Sequence, residues 1–119
     1  MAAAQIRPGE LVLDLGAGRG AITRHLVATG ARVIAVELHP ARARELRGWQ
    51  ACAVVEADIA DFRWPNRPFR VVANPPFGQL AVILRRICAA QSRLTRADLV
   101  VPSYLAARSS GRETDSPTC

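Results

Sequence analysis

Leu11-Val-Leu-Asp14-Leu-Gly16-Ala-Gly18-Arg-Gly20 is the stretch from which the fold follows. A short run of branched apolar residues carries one acid and passes at once into three glycines spaced two apart. A continuous apolar run of this length predicts a strand buried on both faces, as in a parallel sheet. The glycines predict a tight turn free of Cβ atoms, on which a ligand can lie directly against the backbone. The next segment, Ala21 to Thr29, places Ile22, Leu26 and Val27 on one side and stops at Gly30, which predicts a helix. Strand, glycine turn and helix together open a βαβ unit.

The same pattern repeats outward along the chain. Apolar runs recur at Val33-Ile-Ala-Val-Glu37, Ala53-Val-Val-Glu-Ala57, Phe69-Arg-Val-Val-Ala73 and Ala97-Asp-Leu-Val-Val101. Pro40 opens a second helix, a position that suits proline, with Ala43, Leu46 and Trp49 available for its buried face. Gln79 to Gln91 carries Leu80, Ile83, Leu84 and Ile87 at helical spacing. Alternating strands and helices predict an α/β Rossmann-like fold with an open, mostly parallel sheet. Residues 1–108 are expected to form this domain, incomplete at its C-terminal end. The polar stretch 109–119 is expected to be a disordered tail. In such sheets ligands bind beyond the carboxyl ends of the strands, so the residues just after each run are the ones to inspect.

The glycine spacing is GxGxG, distinct from the GxGxxG of dinucleotide sites and the GxxxxGK[ST] of P-loops. No lysine closes the loop, which argues against phosphate cradling. Two acids sharpen the reading toward S-adenosylmethionine. Asp14, ahead of Gly16 and Gly18, can meet the cationic amino end of that cofactor. Glu37 ends the second run, where an acid accepts hydrogen bonds from ribose hydroxyls. Asp58 follows the third run and can accept from the exocyclic amine of the cofactor's adenine, with Ile59 covering the ring. Leu38 can pack on the adenine or belong to the core. Purely structural roles stay open for the acids: Asp14 at a helix N-terminus, Glu37 as a solvated strand end and Asp58 capping a turn.

Asn74-Pro75-Pro-Phe77 follows the fourth run and is the most informative tetrapeptide. The lone pair of an exocyclic amine is delocalised into its base and is a poor nucleophile. Two acceptors on the two N–H bonds hold the amine so that its lone pair points at the methyl group and stabilise the positive charge that develops. The Asn74 side-chain oxygen and the Pro75 carbonyl are the natural pair, since proline stiffens the loop. Phe77 offers a face on which the target base can stack, an interaction of about 1–3 kcal/mol. No side-chain base is required first, because the amine can lose its proton after transfer.

The 119-residue chain has a formal net charge of +6, with 16 basic residues, all of them arginine. A basic excess favours a polyanionic partner such as nucleic acid. Arg85, Arg86, Arg63, Arg67 and Arg70 can contact phosphates or form a solvated face. Three cysteines, at 52, 88 and 119, have no CxxC spacing, so neither a zinc site nor a disulfide framework is expected, and a reducing cytoplasm fits. His25 and His39 read as surface residues rather than metal ligands, and Trp64 and Tyr104 as packing residues. No apolar run has the length of a membrane span, and no signal peptide is read at the start.

At these motifs the chain resembles the rRNA adenine N6-methyltransferases, especially the Erm type that confers macrolide resistance. The carrying segments are Arg7 to Thr23, Ala31 to Pro40 and Phe69 to Gly78. The resemblance implies S-adenosyl-L-methionine as cofactor and N6 of an adenine in 23S ribosomal RNA as acceptor. It also implies loss of macrolide, lincosamide and streptogramin B binding by the ribosome. It makes Gly16, Gly18, Glu37, Asp58 and Asn74 cofactor residues and Phe77 the aromatic of the family loop. Such enzymes carry a longer segment before the first strand, further strands and a small helical RNA-binding domain. Val101 to Arg108 also lacks the expected Gln-Arg-like pattern, so a truncated product is expected. The alternatives are an amino-methyltransferase acting on DNA or on a protein glutamine, and an inactive fragment that only binds cofactor or RNA.

Overall fold

The computed structural model describes residues 6–48, 52–74, 77–89 and 93–99. Among the described residues five strands, β1 (Leu11–Leu15), β2 (Arg32–Glu37), β3 (Cys52–Glu56), β4 (Phe69–Ala73) and β5 (Leu94–Leu99), form one sheet. All neighbouring pairs run parallel, in the order β3-β2-β1-β4-β5. The α-helices of the described residues are α1 (Ala21–Ala28), α2 (Pro40–Arg47) and α3 (Leu80–Cys88). The α/β Rossmann-like fold expected from the sequence is the one observed.

Side-chain alternation sorts the core onto two faces. Val12 and Val72 pack with Leu26 of α1, and Ala35 packs with Leu46 of α2. On the opposite face Leu13, Leu15 and Val71 pack with Ile83 and Ile87 of α3. β1 and β4 are buried along their whole length, as their unbroken apolar runs predict. The chain proceeds from β1 to β2 and β3 on one side, then crosses back to lay β4 on the other side of β1. The crevice between β1 and β4 is therefore the topological switch point of the sheet, where such folds bind ligands.

Two sequence expectations are corrected here. The third run was expected to be buried on both faces, but β3 is an edge strand with Val55 39% exposed. No helix lies between β3 and β4 to cover it. The fifth strand begins at Leu94, three residues ahead of the apolar run at Ala97, because Leu94 and Arg96 also pair with β4, with Thr95 at the register shift between them. Cys52 is a free thiol. Trp49, Tyr104 and the stretch 109–119 lie outside the described residues. Among the described residues no helix is long and apolar enough to cross a membrane.

Candidate active site

The parallel register brings the strand ends together. Leu15 pairs with Val36 of β2 and with Ala73 of β4, so the chain leaves all three strands at one level. Gly16, Glu37 and Asn74 follow from there, and Glu56 at the end of β3 lies level with Glu37. A cleft of about 610 Å³ opens at this edge, within the roughly 300–1,000 Å³ of small-molecule sites. Asp14, Gly16, Gly18, Glu37, Leu38, Asp58, Ile59 and Asn74 all line it.

The glycine turn is shaped by conformation more than by space. Gly16 and Gly18 have φ of 72° and 60°, a region that side chains adopt only with strain. The Gly16 and Ala17 N–H groups donate to the Val36 carbonyl at 2.9 and 3.1 Å, which fixes the turn over the end of β2. Glu37 then locks onto it from the other strand. Its Oε1 accepts from the Gly18 N–H at 2.6 Å and its Oε2 from the His39 N–H at 2.9 Å. Each carboxylate oxygen keeps a second lone pair for a ligand.

Asp14 is 1% exposed, and one of its oxygens accepts from the hydroxyl of Thr23 in α1. Burial pushes its carboxyl up to about 6, opposed by the Thr23 hydrogen bond and assisted by the nearby Glu37 charge. A buried acid of this kind is stabilised by a cation brought into the cleft. Asp58 serves a turn as well as the cleft: its Oδ1 accepts from the Ala60 N–H at 2.9 Å, and its carbonyl accepts from the N–H groups of Asp61 and Phe62. Ile59 is buried against the glycine loop, with its Cδ1 3.4 Å from where a Gly16 Cβ would stand. Leu38 is 55% exposed on the cleft wall and does not belong to the core.

Asn74 is exposed at the cleft, directly after β4. Pro75 lies outside the described residues; Phe77 begins a 3₁₀ turn, Phe77–Gln79, that leads into α3. Sequence reasoning missed Thr23, whose pairing with Asp14 joins a helix to a strand, and Gln79, which lines the cleft from that 3₁₀ turn. A polar residue in the first turn of α1 was the available signal for Thr23. His39 is exposed, as expected, and its Nδ1 caps α2 through the Ala41 N–H.

Two of the arginines read as possible phosphate contacts are committed elsewhere. Arg70 is 4% exposed and pairs with Asp98 at 3.1 Å and Glu10 at 3.4 Å, because its place in a central strand turns it into the protein. Arg86 donates inward to backbone carbonyls of the loop after β3. Arg63, Arg67 and Arg85 are exposed. Among the described residues no group of three His, Cys, Asp or Glu side chains is placed to hold a metal ion.

Known proteins with this arrangement are methyltransferases. Residues 12–98 match the family described as methyltransferase domain. An rRNA methyltransferase of Streptomyces thermotolerans is 40% identical over 108 residues, which is 87% of this chain and 36% of that protein. The mycinamicin-resistance protein MyrB of Micromonospora griseorubida is 44% identical over 78 residues, 64% of this chain and 25% of that protein. The crystal structure of the 23S rRNA methyltransferase ErmE superposes with a TM-score of 0.75 at 32% identity, over 91% of this chain and 46% of that one. The chain thus spans about a quarter to a third of the length of these two curated relatives. With a matched segment that runs from β1 into β5 and a glycine cleft at the switch point, the chain belongs to the methyltransferase domain family, whose methyl donor is S-adenosylmethionine.

Proposed function

We propose that this chain is the cofactor- and base-binding part of an enzyme that methylates N6 of an adenine in 23S rRNA, with resistance to macrolide-type antibiotics as the consequence. The observation that carries the reading is the position of Asn74: it borders the same cleft as Glu37 and Asp58, at the strand that completes the switch point. The similarity to an rRNA methyltransferase, to ErmE and to MyrB supports the choice of RNA and of resistance.

The cleft fits the cofactor by its set of hydrogen-bond acceptors. Asp14 faces the amino end and gains a cation that offsets its buried charge. Glu37, already fixed by two backbone N–H groups, accepts from the ribose hydroxyls. Asp58 accepts from the adenine amine, while Ile59 and Leu38 cover the two faces of the ring. S-adenosylmethionine supplies an electrophilic methyl group on sulfur. The Asn74 side-chain oxygen and the Pro75 carbonyl hold the target amine by its two N–H bonds and orient its lone pair toward that methyl. Phe77 stacks on the target base. Alignment of the reacting atoms supplies the main rate gain, and the amine releases its proton after transfer.

The test is methyl transfer from labelled S-adenosylmethionine to protein-free 23S and 16S rRNA, with Asn74→Ala as control. Label in 23S rRNA that disappears in the variant is the expected result. A folded, cofactor-binding protein that labels neither RNA overturns the reading.

A further inference from the structure

Arg86 points into the protein, and what it holds is part of the cofactor cleft. Its Nη1 donates to the Ile59 carbonyl at 3.0 Å and its Nη2 to the Phe62 carbonyl at 2.8 Å. The guanidinium carbon lies 4.6 Å from the centre of the Phe62 ring and 4.9 Å from that of Trp64. Those rings meet edge to face, and Trp64 stacks on Phe69, a buried residue of β4. A planar fork that stacks on aromatic faces while bonding two carbonyls is a task for arginine and not for lysine.

The two carbonyls belong to the turn that follows Asp58. The backbone N–H groups of Ala60, Asp61 and Phe62 are all turned toward Asp58. Winding the turn in this way leaves the Ile59 and Phe62 carbonyls to find donors elsewhere, and Arg86 provides both. Arg86 stands on α3, the helix that follows the Asn74 segment and the 3₁₀ turn. One side chain therefore ties the turn carrying Asp58 and Ile59 to the helix that emerges from the acceptor loop.

We propose that Arg86 is a positioning residue for cofactor selection: by fastening the Ile59–Phe62 turn to α3, it holds the Asp58 carboxylate where it reads the amino group of the cofactor's adenine. This rests on the reading of Asp58 given above. Arg86 itself does not touch the cofactor.

The test compares two ligands of the full chain by calorimetry. One is S-adenosylhomocysteine; the other is the same molecule with purine in place of adenine, lacking only the amino group. The native protein is expected to prefer the first by about tenfold, the worth of one good hydrogen bond. In Arg86→Lys and Arg86→Met that preference is expected to fall below about threefold, through weaker binding of the adenine ligand alone. Arg86→Lys keeps the charge and the stem, so it carries the test if Arg86→Met does not fold. A native-like preference in a folded variant, whether both ligands weaken together or neither does, reduces Arg86 to a packing role and overturns the proposal. Absence of any preference in the native protein removes the Asp58 reading and the proposal with it.

Discussion

Glu37 and Gly18 are joined across the switch-point edge by a 2.6 Å hydrogen bond from the Gly18 N–H to the Glu37 carboxylate. The bond links the glycine turn after β1 to the acid that ends β2, so the two features that signal the cofactor in sequence are one structural unit. It also sets the direction of Glu37 before any ligand arrives.

Gly18→Ala separates fold from binding. A Cβ there meets only the Gly16 carbonyl, at 3.9 Å, so the folded protein has room for it. The φ of 60° still imposes a cost of about 1–2 kcal/mol on a residue with a side chain. If the cofactor lies on this backbone, the new methyl group projects into it. Stability in urea should therefore fall by about 1–2 kcal/mol, while affinity for S-adenosylhomocysteine falls by more than about tenfold. A folded Gly18→Ala variant that binds S-adenosylhomocysteine within about twofold of the native affinity would remove the glycine turn from the binding surface.

Asp14 predicts a stability that declines as pH rises. Its carboxyl is raised from 3.8 to about 6, so the folded state holds the proton more tightly than the unfolded state. The group's effect is neutral below about pH 4, and stability is then lost progressively up to about pH 6, on the order of 3 kcal/mol in all. Without ligand, Asp14→Asn should melt higher than the native protein at pH 7.5, and the difference should shrink toward pH 4.5. Cofactor affinity should run the other way, strengthening as Asp14 ionises above about pH 6 to meet the ligand's ammonium. A melting difference that does not change with pH would show that Asp14 is ionised at no cost.

The residues of the candidate site were legible in the sequence because a parallel sheet brings every strand's carboxyl end to one edge. Asp14, Glu37, Asp58 and Asn74 each sit at or just beyond a strand end, and reading along the chain was enough to place them in one cleft. What the sequence did not disclose depends on contacts between distant segments. Arg70 pairs with Glu10, which is 60 positions away, and Arg86 reaches Ile59 across 27, so both looked like surface cations. Thr23 finds Asp14 only once α1 is laid on β1. The edge position of β3 follows from strand order, which no local pattern encodes; its Val54 and Val55 read like the buried valines of β4.

Asn74 and Phe77 should fail in different ways. If the Asn74 side-chain oxygen accepts from the target amine, Asn74→Ala should lower kcat by roughly 10²–10³, a larger loss than that of cofactor affinity. If Phe77 is the stacking platform proposed for the target base, Phe77→Ala should cost about 1–3 kcal/mol and raise the apparent KM for RNA by roughly five- to 150-fold. Single-turnover methylation at saturating and limiting RNA distinguishes the two. Loss of cofactor binding in Asn74→Ala equal to its loss of rate would assign Asn74 to the cofactor instead of the amine.

The strand-end cleft of Asp14, Gly18, Glu37 and Asp58 is the proposed methyl-donor site. Calorimetric titration of the full chain with S-adenosylhomocysteine, beside Glu37→Ala, tests it most directly. A single site is expected in the native protein, with affinity at least tenfold weaker in the variant, about 1.4 kcal/mol or more. A native protein that binds nothing, or a Glu37→Ala variant that binds as tightly as the native chain, would contradict it.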